Sequence, residues 1–136
     1  MSGIVFFPEI EITPSDDGIG MMLGAIVHDV LISAYKTEIL FCTSYGNFSM
    51  YHSQDCCESV VIDDIEGDWK DIIGQRLLQA TESTNKTDSD IGNGKPTDSF
   101  TWTFYKLATI KGYLTIRWLG ESNGYYSESV SIKKVN

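Results

Sequence analysis

Short apolar runs separated by turn residues fill the chain from Gly24 onward, and their alternation has the period of half-buried β-strands. Residues 25–34 carry apolar, β-branched residues, broken by His28 and Asp29. Residues 38–43 and 47–52 flank Tyr45-Gly46, a hairpin signal. Residues 59–65 read as a further strand, closed by Gly67. Residues 68–73 fit one or two helical turns, with Asp68 as N-cap and Gly74 as the stop. A strand pattern returns at 76–82.

Residues 83–99 read as a long polar loop of Ser, Thr, Asn, Lys, Asp, Gly and Pro, with Ile91 its one apolar residue. A loop of that length is either mobile or functional, and the first is the commoner case. After it come the strongest strands, at 100–110, 113–119 and 125–135, joined through Lys111-Gly112 and Ser122-Asn123-Gly124. Asn-Gly between apolar runs predicts hairpins, hence an antiparallel meander. By the period of two, Phe100, Trp102 and Phe104 take one face as core, and Thr101, Thr103 and Tyr105 the other. In the next strand, Leu114, Ile116 and Trp118 share a face opposite Thr115 and Arg117.

The expected fold is α+β and mostly β, an antiparallel sheet or half-barrel of about six to eight strands with one short helix. Residues 1–20, broken by Pro8, Pro14, Asp16, Asp17, Gly18 and Gly20, form an N-terminal arm, and 21–136 one β-rich domain. The segment Met21-Met22-Leu23-Gly24-Ala25-Ile26-Val27 resembles Asp71-Ile72-Ile73-Gly74-Gln75-Arg76-Leu77. Each is an apolar pair, a glycine and a strand, so the pattern admits an internal duplication.

With 136 residues the chain suits one domain. Its 19 acidic and 10 basic residues leave a formal net charge of -9, which excludes duplex DNA binding by general phosphate neutralisation. No apolar run is long enough to span a bilayer. The first residues lack the basic start of a secretion signal. Cys42, Cys56 and Cys57 are an odd count without a CxxC spacing, and the expectation is three free thiols in a reducing cytoplasm.

The densest polar cluster spans 51–59, with His52, Asp55, Cys56, Cys57 and Glu58. Such residues can ligate a metal or form a Cys/His nucleophile pair. A zinc site normally draws ligands from two separated knuckles and only one exists here, so neither a metal nor a cofactor is expected. Free cysteine is more often a small buried apolar residue. Between 55 and 71 stand Asp55, Glu58, Asp63, Asp64, Glu66, Asp68 and Asp71 against a single Lys, either a solvated face or a patch for a basic partner. The spacing is not that of a calcium loop. Arg117 is one of two arginines. It reads equally as an anion anchor and as a structural pair with Glu128 or Asp55. Tyr125-Tyr126 puts one ring on each face of a strand, and an exposed ring can stack a nucleobase or mediate self-association.

The words Gln54-Asp55-Cys56-Cys57-Glu58-Ser59-Val60, the run from Trp102 to Thr109, and Ser122-Asn123-Gly124-Tyr125-Tyr126-Ser127-Glu128-Ser129-Val130 within 115–130 resemble a family of small phage and prophage proteins, known only as a domain of unknown function. The resemblance covers about residues 22–132. It implies a small acidic protein acting in a host bacterial cytoplasm, in the manner of host-takeover or counter-defence factors, and transfers no catalytic residue.

Three functions follow as expectations. The first is a non-enzymatic, oligomeric protein that captures a nucleotide-like immune signal with Arg117, Asn123, Tyr125, Tyr126 and Glu128, close to His52, Asp55 and Glu58 on one surface. The second is an acidic inhibitor of a host nuclease or CRISPR effector. The third is an enzyme using His52 and Cys56. Direct nucleic-acid binding and membrane insertion are not expected.

Overall fold

The computed structural model describes residues 18–88 and 99–135. Eight strands run in chain order: β1 (Val27–Ile32), β2 (Glu38–Thr43), β3 (Gly46–Tyr51), β4 (Ser59–Glu66), β5 (Gln79–Asp88), β6 (Ser99–Thr109), β7 (Gly112–Ser122) and β8 (Ser131–Lys134). They form two four-stranded antiparallel sheets, β1-β2-β3-β8 and β4-β7-β6-β5. The expected strand number and antiparallel character hold. The single sheet or half-barrel is replaced by two separate sheets that close on one core.

Alternation explains the core. On β2, Ile39 and Phe41 turn inward and are fully buried. On β7 the inward face is Leu114, Ile116 and Trp118, all at 0 % exposure. The Trp118 indole N–H donates to Met50 Sδ at 3.2 Å, tying the second sheet to β3 of the first. Burying such aromatic and aliphatic side chains supplies the main folding force, about 1.5–3 kcal/mol for each large one.

Each sheet is a three-strand meander completed by a strand from the other half of the chain. β4 follows β3 but pairs with β7, and β8 follows β7 but pairs with β3. Both edges of β7 are therefore occupied, by β6 and β4, and no meander partner remains for β8. That corrects the expected third hairpin at Asn123-Gly124: the chain leaves β7 there and crosses to the other sheet. Before each meander lies a short 3-10 turn, Ile19–Met22 or Trp69–Asp71, then Gly24 or Gly74 in the left-handed region. The two segments with similar sequences lie against each other. Gly24 N–H donates to the Leu77 carbonyl and Leu77 N–H to the Ala25 carbonyl, at 2.9 and 2.8 Å.

The expected helix at 68–73 shrinks to the turn Trp69–Asp71. Asp68 does cap it, accepting the Lys70 N–H at 2.9 Å. Gly67 and Gly74, both at positive φ, bracket too short a segment for a helix, and the Asp71 carbonyl accepts the Thr109 hydroxyl instead of continuing one.

The polar run at 83–99 is half strand. β5 continues to Asp88 and pairs with β6 along its length, while residues 89–98 lie outside the described residues. β5 is an edge strand whose residues 81–85 are exposed, so its polarity reflects solvent on both sides. The two faces of β6 are reversed from expectation. Tyr105 and Thr103 are buried, whereas Phe100, Trp102 and Phe104 lie half-buried on the outer face. The arm at 1–20 lies mostly outside the described residues, and within it Ile19 is packed in the core.

Candidate functional site

The two crossings between sheets, residues 52–58 and 123–130, bring the polar words of the chain together. His52 joins them. Its Nε2–H donates to the Glu58 carboxylate of its own crossing at 2.7 Å. Its Nδ1 stands 2.7 Å from the Ser129 carbonyl of the other crossing. The His52 side chain is 3 % exposed and that of Glu58 is fully buried.

Glu58 organises the first crossing. Besides His52 it accepts the backbone N–H of Asp55 at 2.8 Å and of Cys56 at 2.9 Å. Its pKa is lowered to about 2, chiefly by the His52 hydrogen bond and then by the Cys56 and Asp55 amides, against the opposing effect of burial. The Gln54 amide braces the same segment by donating to the Glu58 carbonyl at 2.7 Å.

Glu128 organises the second crossing. It is 6 % exposed and accepts the Thr101 hydroxyl at 2.6 Å, the Ser99 hydroxyl at 3.3 Å and the Ser122 hydroxyl. The tight turn after β7 is held by Asn123, whose side-chain oxygen accepts the Tyr125 N–H at 2.9 Å. Tyr125 and Tyr126 follow, stacked at 5.1 Å between centroids, with Tyr125 79 % exposed.

Two grooves flank Tyr126. The larger, about 360 Å³, is lined by Glu82, Thr84, Thr101, Thr103 and residues 126–130. The smaller, about 330 Å³, is lined by Cys57, Glu58, Ser59, residues 121–123 and Tyr126. Both walls mix hydroxyls and carboxylates with apolar surface, the Tyr126 ring included. Next to Thr103 on the same face of β6, and opposite Glu82 on β5, Tyr105 is fully buried. Burial and the negative charge of Glu82 raise the Tyr105 pKa far above its ordinary value.

Of the residues expected on one surface, His52, Glu58, Asn123, Tyr126 and Glu128 meet at these crossings. Asp55 is exposed and contributes its backbone N–H, and Tyr125 stacks on Tyr126. Arg117 stands apart, on the outer face of β7 with its guanidinium 5.3 Å from the Trp102 ring centroid. Its Nε–H donates to Asp63 at 2.8 Å and its Nη2 lies 2.5 Å from the same carboxylate. The expected pairing of Arg117 with Glu128 or Asp55 is thus replaced by one with Asp63, because β4 lies beside β7 where the hairpin return was expected.

The three free thiols expected are also corrected. Cys56 and Cys57 are joined to each other and only Cys42 is free. The hydrogen bonds of Glu58 fold residues 55–58 into a turn, so the two side chains no longer point to opposite faces as in a strand. Among the described residues no group of three or more His, Cys, Asp or Glu could hold a metal ion. No helix among them is long and apolar enough to cross a membrane.

Sequence reasoning missed the hydroxyls around Glu128 and the groove residues Glu82, Thr84 and Thr103. A signal for the crossings was present: Glu58-Ser59-Val60-Val61-Ile62 matches Glu128-Ser129-Val130-Ser131-Ile132 at every position but one. Each copy places a buried glutamate just before a strand that joins the opposite sheet.

A family model described as a domain of unknown function (DUF7448) matches residues 20–132. No curated protein matches the chain, and no solved structure does.

Proposed function

The chain belongs to the DUF7448 family, whose function is unknown, and from that premise we propose that it is a non-catalytic binding protein capturing a small nucleotide-like ligand by its base and sugar. The observation that carries this is the exposed Tyr125 ring stacked on the half-buried Tyr126, which lines two grooves bearing hydroxyls and carboxylates. A base stacked on an aromatic ring gains about 1–3 kcal/mol. Sugar hydroxyls and exocyclic amines find acceptors in the exposed Glu82 carboxylate and in the Thr84 and Thr101 hydroxyls of the larger groove. Among the described residues neither groove is lined by a Lys or Arg, and Arg117 lies on another face. Any phosphate on the ligand therefore stays in solvent, and binding is expected to be weakly salt-dependent. The resemblance to phage proteins makes the nucleotide signals of bacterial immunity the first ligands to try, in a counter-defence role within the host cytoplasm, with a homo-oligomer as the working form.

Calorimetry against nucleosides, cyclic nucleotides and ADP-ribose derivatives tests the reading. Binding should be lost in Tyr125→Ala, whose exposed ring contributes little to folding. An absence of heat with every member of the panel overturns it.

A second reading has its own support in the exposed acids of the β4 edge, Asp63, Asp64 and Glu66, continued by Asp68. They suit an inhibitor that grips a basic host nuclease or CRISPR effector, with fast, salt-sensitive association. Capture that survives high salt unchanged argues against it. Acid–base or thiol chemistry at His52 and Cys56 has less support, because both ring nitrogens of His52 are engaged and the Cys56 sulfur is bonded.

A further inference from the structure

We propose that Cys56 and Cys57 are a redox modification site, a vicinal pair that interconverts between disulfide and dithiol by exchange with low-molecular-weight thiols, and that the interconversion reshapes one wall of the smaller groove. Three observations carry it. Both residues are exposed, so a small thiol reaches them, whereas Cys42 is half-buried on β2 and away from the pair in sequence and element. The segment is fastened independently of the sulfurs. Glu58 holds the amides of Asp55 and Cys56, and the Gln54 amide donates to the carbonyls of Cys56 and Glu58 at 3.2 and 2.7 Å. The two thiols therefore stay neighbours after reduction, and closure is intramolecular, at high effective concentration. Finally, Cys57 lines the groove together with Glu58, Asn123 and Tyr126. Its side chain is tied back to Cys56 in one form and free to turn in the other.

The exchange balances with a thiol such as glutathione. One glutathione thiolate attacks a cysteine sulfur, forming a mixed disulfide and breaking the Cys56–Cys57 bond. The released cysteine thiolate takes a proton. A second glutathione thiolate then attacks the glutathione sulfur of the mixed disulfide, releasing the other cysteine and oxidised glutathione. The protein gains two electrons and two protons, and two glutathiones become one disulfide.

The test uses the full chain equilibrated in buffers of varied reduced-to-oxidised glutathione ratio, trapped with N-ethylmaleimide and weighed intact. The expected result is three maleimide adducts at the reducing end and one at the oxidising end, with the change reversible. In Cys56→Ser and in Cys57→Ser the lone partner should instead retain glutathione under oxidising buffer. Three adducts at every ratio, or glutathione retained stably by the unaltered chain, overturns the proposal. The groove claim is read separately, by amide NMR of the oxidised and reduced forms. Shifts should concentrate in residues 54–59 and 121–126, and unchanged resonances at 121–126 refute it. Neither measurement uses a bound nucleotide-like ligand, so failure here leaves the binding reading intact, and failure of the calorimetry leaves this one intact.

Discussion

Glu58 condenses the chemistry of the crossings into one side chain. Its carboxylate is buried yet ionised, because His52 and two backbone amides stabilise the charge more than burial opposes it. Its folded pKa, about 2, lies below the ordinary 4.5, so between these values the unfolded chain binds more protons than the folded one. Stability contributed by Glu58 is then fully present above pH 4.5 and is lost as pH falls toward 2. Urea unfolding across that window should show the loss, and Glu58→Gln should flatten it while being less stable than the parent at neutral pH. An unchanged pH slope in the variant would mean that other carboxylates carry the acid sensitivity. Arg117 is the opposite case. Its ion pair with Asp63 is 40 % and 31 % exposed, and pairs of that kind are worth about 0–1 kcal/mol. Arg117→Ala should therefore cost no more than about 1 kcal/mol in urea unfolding, its stacking on Trp102 included. Ligand binding in the same variant should be unchanged, since neither groove contains the residue.

At the scale of the element, glycine placement decides how closely a crossing can lie on its sheet. A Cβ built on Gly120 of β7 would stand 2.7 Å from both the Cβ and the carbonyl oxygen of Glu128. Gly120→Ala must push the second crossing off β7 and strain the hydroxyl contacts of Glu128. The expected outcome is a loss of about 1–3 kcal/mol, the usual range for overpacking, with the Ser127–Val130 amides exchanging faster by hydrogen–deuterium measurement. Strands with a buried face were legible in the sequence for a physical reason: alternation on β2 and β7 is enforced by the core, and Ile39, Phe41, Leu114, Ile116 and Trp118 could sit nowhere else. β5 was not legible past Glu82, because an edge strand exposed on both faces has no apolar alternation to reveal it. The faces of β6 were misassigned because both carry aromatics, and the choice between Trp102 and Tyr105 as core depends on which sheet packs opposite. Asn123-Gly124 signalled a turn correctly, but a turn signal does not say which strand follows as partner. That depended on β4, which had already taken the free edge of β7.

For the whole molecule, the reciprocal exchange of β4 and β8 makes the two sheets interdependent. The first three strands of each sheet come from one half of the chain and the fourth from the other, while the opening segments of the halves bond to each other through Gly24, Ala25 and Leu77. The repeated Glu-Ser-Val words mark the places where each half hands its last strand across, and His52 bonds to both crossings. Neither sheet can be completed before the other half is in place. The core adds to this, since Trp118 of β7 donates to Met50 of β3 and one buried cluster draws on both sheets. The prediction is a single cooperative unfolding transition, without an intermediate in which one sheet survives. Trp118→Ala, which opens the shared core, should cost about 3–5 kcal/mol. Native-state hydrogen exchange is the measurement that decides. The amides of Phe41 and Met50 in one sheet and of Tyr105 and Ile116 in the other should exchange through the same global opening. In Trp118→Ala their opening free energies should fall together by equal amounts. If the amides of β6 and β7 lose protection while those of β2 and β3 keep theirs, the sheets unfold separately, and the exchanged strands are a matter of connectivity without energetic coupling.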